Sequence, residues 1–327
     1  MKTIYIDSNT GSDNQPGTKD KPLRTLLKAS ELVNQAQEKG PCTLVLELGI
    51  YAVSEPVLFK KNAFYTSEHR LVIKASTLPD DPGWHPSLMP ILLSTQNHTP
   101  SDNLKRITET YTLKFQCSHV TVQGLKFLGN PLSSNMHACV EQHGDRTQDL
   151  MVTQCMFVGN PDTLNIYCPI ISSGNGLVVD HCIFSHCCAS AVFWDGFTAI
   201  SNSGCAMRYC IVDHGYHAGV WTCQTNEDFY FSHNIITQCQ YVWLRKPGDK
   251  QTYSPEDSVC VGNQHFSGYG TASGPMGPTE PEVGFRESNV IKHGEIVLER
   301  DKTSKHYLHV LPGTLGSHLN AGLFKKK

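Results

Sequence analysis

Several features that define other classes of protein are missing from this chain of 327 residues. It has no run of about 18 apolar residues, so the sequence predicts no transmembrane helix. Basic residues (27) nearly balance acidic residues (30), and a net charge of −3 gives no electrostatic reason to expect a nucleic-acid partner. The first residues, Met1–Asp7, lack the apolar core of a signal peptide. We therefore expect a cytoplasmic protein without a membrane partner, or a secreted or periplasmic one if a leader has been removed.

Paired cysteine motifs are also missing, although the chain has 13 cysteines. An odd count without a signal peptide argues against a disulfide framework. No C-x-x-C pair supports a zinc site, and strand alternation would put His181 and Cys182 on opposite faces. The sequence therefore predicts no metal site. The zinc ligands that this argument rejects are His181, Cys182, His186, Cys187 and Cys188.

The chain does contain a repeat between Gly174 and Lys246. Three segments there share one order: a short apolar strand, a small polar residue, two apolar residues, a loop and a second strand. The small residues Cys182, Cys210 and Asn234 fall at matching positions, with offsets of 28 (182 to 210) and 24 (210 to 234) residues. A strand–turn–strand unit that recurs about every 20–50 residues is typical of a solenoid.

The pattern extends upstream through Val120–Phe127 and Leu150–Phe157, and a weaker copy follows downstream at Val259–Phe266. Alternate residues of a strand point to opposite faces, so each copy should turn one row of side chains into a common core. The residues predicted to point inward in the clearest copy are Leu177, Val179, Cys182 and Phe184. Cys155, Cys182 and Cys210 are predicted to act as small apolar core residues.

The N-terminal part of the chain carries an ordered set of motifs. Turn residues are dense before an amphipathic helix predicted at 25–39, and an apolar strand and a G-x-Y motif follow it. The motif residues are Asp7, Gly11, Asp13, Pro16-Gly17-Thr18, Lys21-Pro22 and Gly49-Ile50-Tyr51. In this order they resemble the N-terminus of right-handed parallel β-helix proteins of the pectate-lyase-like superfamily. The resemblance implies that the helix caps an otherwise exposed end of the stack.

The sequence therefore predicts an all-β fold, a right-handed parallel β-helix with a capping helix, as a single domain over 1–327. Its clearest coils should lie at 117–270, with C-terminal coils and a tail at 285–327. The stretch 270–284 is rich in glycine and proline, so we expect a loop without a strand there. A strand is expected near Ile296–Leu298. The superfamily contains lyases, hydrolases, epimerases and non-catalytic proteins, so the resemblance implies the fold more than the reaction.

The second strands of the three clearest coils suggest a substrate-binding surface. If Val192, Val220 and Val242 all point inward, their neighbours point outward. The outward aromatic residues would be Phe193, Trp221 and Trp243. In the resembled family this face is the floor of the substrate groove, and the apolar faces of sugar rings pack on aromatic rings. Two alternatives stay open: loops cover these rings, or the alternation is out of phase and the rings belong to the core, which would bury Arg245 at a cost.

Residues that can transfer a proton or neutralise a carboxylate flank these strands. The predicted catalytic residues are His214, His217, Tyr216, Asp195, Arg245 and Lys246. Further substrate contacts are predicted at His186, Tyr241 and Glu141. Calcium would need clustered carboxylates, and Asp195 and Asp213 alone lie nearby. Calcium therefore stays an open alternative without support, and no cofactor is predicted.

Two reactions use such residues on an oligo- or polysaccharide, the expected partner. In β-elimination a cation, here Arg245 or Lys246, neutralises a uronate carboxylate, and His217, His214 or Tyr216 removes the C5 proton. Glycoside hydrolysis needs two carboxylates, about 5–9.5 Å apart depending on the stereochemistry. Asp195 is one candidate, with Asp213 or Glu141 as its partner. The sequence slightly favours a polysaccharide lyase, with a glycoside hydrolase or a non-catalytic glycan-binding or scaffold β-helix as alternatives. It leaves the oligomeric state open.

Overall fold

The computed structural model describes residues 2–36, 40–60, 65–97, 109–132, 136–143, 147–193, 203–223, 228–271, 274–279 and 284–325. Within these ranges the chain winds through three stacks of strands, and each stack joins equivalent strands from successive coils. We number the stacks I, II and III in the order in which a coil enters them. The fold is a right-handed parallel β-helix, since crossovers between parallel strands are right-handed in almost all proteins.

Stack I is parallel throughout its described length. Its strands are β1 (Lys2–Ile6), β2 (Cys42–Leu46), β5 (Leu71–Ala75), β8 (Val120–Gln123), β11 (Leu150–Thr153), β14 (Val178–Asp180), β17 (Ala206–Arg208), β20 (Tyr230–Ser232), β23 (Pro255–Val261) and β26 (Ser288–Ile291). Stack II is also parallel, and its last strand pairs with the far end of β23. Its strands are β3 (Ile50–Val53), β6 (Ile91–Ser94), β9 (Lys126–Leu128), β12 (Met156–Val158), β15 (Ile183–Ser185), β18 (Ile211–Asp213) and β21 (Ile235–Thr237).

Stack III is parallel from its first strand to β24 and ends in one antiparallel strand, β25. Its strands are β4 (Val57–Phe59), β7 (Glu109–Phe115), β10 (Met136–Gln142), β13 (Cys168–Ser172), β16 (Ala191–Phe193), β19 (Ala218–Thr222), β22 (Tyr241–Arg245), β24 (His265–Thr271) and β25 (Gly274–Pro278). The stretch 270–284 thus contains a strand, and the prediction of a loop without one is wrong. Pro275 and Pro278 are tolerated because β25 lies at the edge of the sheet, where a missing N–H leaves no ladder bond unmade.

The helices described are α1 (Leu26–Gln35) and two 3₁₀ turns at Pro86–Leu88 and Ser317–Leu319. In the described part of the chain no helix is both long and apolar enough to cross a membrane. Helix α1 ends four residues before the predicted limit, and 37–39 lie outside the described residues.

Side chains from all three stacks fill one central core. Phe127, Phe157 and Phe184 stack on one another from coil to coil, with ring centroids 4.9 Å apart in each pair. Cys182 and Cys210 are fully buried beside them, as is Asn234 at the matching position of the next coil. The predicted inward residues of the repeat are thus confirmed. Asn234 is satisfied there, because its side chain accepts from the Cys210 N–H at 2.9 Å and donates to the Met207 carbonyl.

The turn from stack I to stack II bends the chain within one residue. That residue has a positive φ in successive coils: 54° at Gln154, 52° at His181, 54° at Tyr209 and 55° at His233. The residue that follows points into the core, as Cys182 does after His181. The turn therefore puts a row of polar side chains on the outside of the corner between stacks I and II.

The N-terminal motif residues build the cap. Asp13 accepts from the backbone of Arg24 and from the backbone and hydroxyl of Thr25, and Thr25 in turn caps α1 by accepting from the Lys28 N–H at 3.1 Å. A Cβ added to Gly11 would lie 2.1 Å from the Leu23 carbonyl oxygen, so this position has room for glycine alone. The predicted capping helix is confirmed.

A long C-terminal segment, residues 296–325, covers the outer face of stack II. The outward residues Ile183, Ile211 and Ile235 pack against it in a second apolar cluster, to which Leu308 and Leu319 belong. The strand predicted near Ile296–Leu298 is absent from the described segment, where Leu298 makes only an isolated bridge with Val310. The apolar residues of this segment pack their side chains against stack II and do not form a strand.

Candidate functional site

The register of stack III decides which of its side chains face outward. Val192 pairs with Trp221, and Val220 pairs with Trp243. Val192 and Trp221 therefore share an outer row with Leu244, whereas Val220 and Trp243 belong to the central core. The predicted inward direction is right for Val220 and wrong for Val192, because a slip of one residue between coils exchanges the two faces of a strand.

The expected ladder of exposed aromatic rings is absent from the described residues of stack III. Phe193 and Trp243 are fully buried in the core, where Phe193 meets Phe229 edge-on at 4.7 Å. Trp221 does lie on the outer side, but it is only 1% exposed within an apolar layer. A Cβ added to Gly270 would lie 3.1 Å from Cζ2 of Trp221, so β24 closes tightly over this ring. Two rings are thus core and the third is covered, which corrects the prediction of an open sugar-binding ladder.

Four other predicted residues lie along or beside stack III. Glu141 faces outward as predicted, and its carboxylate pairs with the Lys114 ammonium at 2.8 Å. Tyr241 is 3% exposed in the outer apolar layer, so it offers a substrate little surface. Lys246 is half-buried just after β22. Asp195 lies outside the described residues, and its catalytic role stays a prediction.

Arg245 is fully buried, which corrects the expectation that it faces the substrate. Its Nε lies 3.3 Å from Oδ2 of Asp249, and its guanidinium also donates to the Gln251 carbonyl. The charge lies over the Tyr253 ring, 5.0 Å from the centroid. A carboxylate four residues along the chain and the neighbouring ring thus offset the cost of burying the cation.

His217 and Tyr216 form a cluster where the chain enters β19, and Cys188, Tyr167 and Asn165 complete it. We call these five residues the His217 cluster. Nδ1 of His217 lies 2.8 Å from Sγ of Cys188, and the Tyr167 ring meets the imidazole edge-on at 5.9 Å. The Tyr216 hydroxyl donates to Oδ1 of Asn165 at 2.5 Å. Both His217 and Tyr216 are half-buried, so their orientation is fixed while part of each stays accessible.

Burial sets the protonation of this cluster. It lowers the pKa of His217, which keeps the imidazole neutral near pH 7. Burial also raises the pKa of Tyr216 and of the Cys188 thiol, so both keep their protons. When Nδ1 of His217 donates to the sulfur, Nε2 is left with a lone pair that can accept a proton from a substrate. The cluster thus holds a neutral base next to a protonated hydroxyl.

His186 and His214 lie at a different place, the turn that follows stack II. Their rings stack with centroids 4.6 Å apart, and Nδ1 of His214 lies 2.8 Å from Oδ1 of Asp213. Asp213 is fully buried and accepts two hydrogen bonds from Arg300 of the C-terminal segment, at 2.5 and 3.0 Å. Burial alone would raise the pKa of Asp213, but the hydrogen bond from Arg300 and the nearby cations lower it below its ordinary value. This carboxylate therefore stays charged and paired.

His186, Asp213 and His214 are close enough to be considered as ligands of one metal ion, since their ligand atoms lie within 4.8 Å of one another. Their geometry does not suit one. Imidazole lone pairs lie in the ring plane, and the planes of His186 and His214 differ by only 6°, so their nitrogens do not converge on a shared point. Arg300 already occupies both oxygens of Asp213. We read the set as a tie between the solenoid and the C-terminal segment.

A separate concave surface lies between the corner of stacks I and II and the C-terminal segment. This corner groove has a volume of about 990 Å³. One wall is the row His181, Tyr209 and His233, and the other includes Lys305 and His306. Sequence reasoning missed the groove, although the row directly precedes the matched residues Cys182, Cys210 and Asn234 and could have been found from that spacing.

Comparisons with known proteins decide the fold. No protein-family model matches the chain. No curated protein matches it either. Among solved structures it is similar to a rhamnogalacturonan lyase, with a TM-score of 0.50 and 16% identity over 89% of this chain and 68% of that chain. The chain has the parallel β-helix fold.

This β-helix is also similar to a GH136 lacto-N-biosidase from Eubacterium ramulus (TM-score 0.49, 10% identity, 89% of this chain and 68% of that one). A third similar structure is the pectin methylesterase PemA from Erwinia chrysanthemi (TM-score 0.44, 9% identity, 98% and 97%).

The predicted site residues of this β-helix separate into distinct environments. His217 and Tyr216 come together in one accessible cluster at the start of a stack III strand. His186 and His214 stack beside Asp213, whose hydrogen bonds from Arg300 tie the solenoid to the C-terminal segment. Lys246 is half-buried. The other described site residues are buried: Arg245, Trp221, Trp243, Phe193, Tyr241 and Glu141.

Proposed function

We propose that the protein is a carbohydrate-active enzyme that cleaves an oligo- or polysaccharide on the outer side of stack III, with His217 as the residue that takes the proton. The observation that carries this proposal is the His217 cluster. It holds a neutral imidazole in a fixed orientation, beside a hydroxyl that is itself oriented by Asn165. The similar solved structure is a rhamnogalacturonan lyase, and this motivates the choice of a carbohydrate as the substrate class.

The state of the carboxylates favours elimination over hydrolysis. Hydrolysis needs one carboxylic acid and one carboxylate that are both available to the substrate. Asp213 is buried against Arg300, and Glu141 is paired with Lys114, so neither is available for this role. Hydrolysis would then rest on Asp195 with a second carboxylate other than these two. Elimination needs a base and a proton donor, and the His217 cluster supplies both.

In the proposed reaction Nε2 of His217 removes the C5 proton of a uronate ring. The electron pair of that C–H bond forms a C4–C5 double bond, and the bond from C4 to the glycosidic oxygen breaks. Tyr216 donates its hydroxyl proton to the leaving oxygen, and the proton on His217 then restores the tyrosine. Lys246 is the cation proposed to neutralise the carboxylate, because Arg245 is committed to Asp249 inside the core.

A panel of acidic and neutral glycans tests the reaction class when ultraviolet absorbance and new reducing ends are followed together. Elimination creates an unsaturated uronate, so we expect both signals to rise with acidic glycans only. Reducing ends without absorbance would mean hydrolysis and would direct attention to Asp195. Binding of a glycan without either signal would make this β-helix a binding protein and contradict the proposal.

A further inference from the structure

We infer that the corner groove is a second saccharide-binding site, separate from the His217 cluster, that takes an acidic oligosaccharide. The groove lies between the row His181, Tyr209 and His233 and the C-terminal segment. None of the residues that line it belongs to the His217 cluster. The choice of a saccharide rests on the proposed function, whereas the choice of an anion rests on the groove itself.

The corner row presents a regular series of polar ring edges. His181 and Tyr209 stack with centroids 4.7 Å apart, and Tyr209 and His233 follow at 4.6 Å. Because the faces of the Tyr209 ring are covered by its neighbours, the row offers the groove its edges, which carry a hydroxyl and imidazole nitrogens. These groups repeat at the spacing of the coils, so they can hydrogen-bond the hydroxyl groups of successive sugar units.

The opposite wall is built into the fold and does not depend on the ligand. The backbone N–H of Gly322 donates to the Tyr209 carbonyl at 2.9 Å, and the N–H of Leu323 donates to Nε2 of His309 at 2.9 Å. Nε2 of Gln154 donates to the Leu323 carbonyl at 2.9 Å. Two of these bonds, to Tyr209 and from Gln154, fix the tail of the chain across the corner, and the third holds it to His309 of the same segment, so the groove is preorganised.

The charges that line the groove favour an anion. The lining includes two lysines but a single carboxylate, Asp80. Both oxygens of Asp80 are engaged, by Nε2 of Gln154 at 3.0 Å and by the Lys325 N–H at 3.1 Å. The Lys325 ammonium pairs with Asp180 at 2.9 Å, which leaves Lys305 as the exposed cation of the opposite wall. A carboxylate on a sugar ring would meet this ammonium.

The histidines alone would suggest a metal, but the described residues do not support one here. Among the residues described, the single group of three or more His, Cys, Asp or Glu side chains close enough to share an ion is the set around Asp213. The groove also has an apolar floor, formed by Leu319, Ala321 and Phe324. Apolar floor and polar walls together match a ring-shaped polyol, and a volume of about 990 Å³ accommodates a short oligosaccharide.

The test measures binding by calorimetry in the full chain carrying His217→Asn, so that the probe is not consumed. The probes are a uronic acid trimer and the matching neutral hexose trimer. The double variant Tyr209→Phe with Lys305→Ala removes one hydroxyl and one cation from the two walls. The matched control is Lys302→Ala, an exposed lysine of the same segment that does not line the groove. Thermal unfolding of each variant checks that the fold is intact.

We expect the uronic acid trimer to bind more tightly than the neutral one, and the double variant to weaken its binding about tenfold or more. The control should bind as the parent does. Equal binding by the parent and the double variant, preference for the neutral trimer, or no binding at all would overturn the inference.

Turnover, measured separately in the chain without substitutions, distinguishes the two proposals. If the chain turns over a glycan and the double variant binds the trimer as tightly as its parent, the inference about the groove is wrong and the proposed function stands. If the chain turns over no glycan but the double variant loses trimer binding, the groove binds the trimer and the proposed function is wrong.

Discussion

At the scale of single residues, this β-helix pairs the charges that it buries. Arg245 is matched by Asp249 inside the core, and Asp213 is matched by Arg300 from the C-terminal segment. The first pair is local, four residues apart, whereas the second ties stack II to the C-terminal segment. An unpaired charge in either place would be costly, because its desolvation would no longer be offset.

Replacing Arg245 should therefore affect stability before it affects chemistry. Arg245→Ala leaves the Asp249 carboxylate, whose side chain is 4% exposed, without its cation. We expect the free energy of unfolding to fall by about 3–5 kcal/mol, measured by urea denaturation. Lys250→Ala, at an exposed position close by, should change it by less than about 0.5 kcal/mol. Equal denaturation midpoints for the two variants would show that the buried pair does not have this role.

Buried histidines should make stability depend on pH. Burial lowers the pKa of His137 to about 4 from an ordinary value of 6.5, and it has the same effect on His309. Between these two values the unfolded chain binds a proton that the folded chain does not, so stability falls as the pH drops from 6.5 towards 4. Each histidine should cost about 2 kcal/mol at pH 5.

The measurement is urea denaturation at pH 7 and pH 5. The loss on acidification should be about 2 kcal/mol smaller in His137→Gln than in the unsubstituted chain. His293→Gln, at an exposed position, should leave the loss unchanged. A loss that is the same in all three chains would contradict the assignment.

At the scale of elements, the two ends of the solenoid are closed in different ways. The N-terminal end is covered by α1. Asp13 accepts hydrogen bonds from Thr25, and Thr25 in turn accepts one from Lys28 in the first turn of the helix. The C-terminal segment instead folds back along the outer face of stack II and buries Ile183, Ile211 and Ile235. This second arrangement protects a face of the solenoid and at the same time creates the corner groove.

The close packing of the N-terminal cap predicts a strict requirement for glycine at position 11. In Gly11→Ala the new Cβ would lie 2.1 Å from the Leu23 carbonyl oxygen, so the turn before α1 must shift. We expect a loss of about 1–3 kcal/mol in the free energy of unfolding. Gly284→Ala is the matched control, since a Cβ there meets no atom within 4 Å. A Gly11→Ala variant as stable as this control would show that the cap tolerates the shift.

The inward positions of the repeat could be predicted because they depend on local alternation, as Cys182 and Phe184 show. The directions in which Val192 and Trp221 point could not be predicted. The register between coils depends on loops of unequal length, and a slip of one residue exchanges the two faces of a strand. The partner of Arg245 was visible four residues along the chain, but only the fold shows that both are buried. Contacts of the C-terminal segment are long-range, and no local pattern in the sequence indicates them.

At the scale of the whole molecule, a solenoid offers several lengthwise faces, and this one uses them differently. The C-terminal segment covers the outer face of stack II. An apolar layer occupies the outer face of stack III, with the His217 cluster at the entrance to its strands. The corner between stacks I and II carries the groove. The proposed catalytic and binding functions are thus assigned to separate faces of one fold.

The most direct test of the central claim compares His217→Asn with His293→Asn, an exposed control, on any glycan that the unsubstituted chain turns over. Loss of a general base costs about 10²–10⁴-fold, so kcat/KM should fall by at least about 100-fold in His217→Asn and stay unchanged in His293→Asn. Circular dichroism and thermal unfolding should show both variants folded. A folded His217→Asn protein that turns over its substrate at the original rate would contradict the account and place the chemistry at another face of the β-helix.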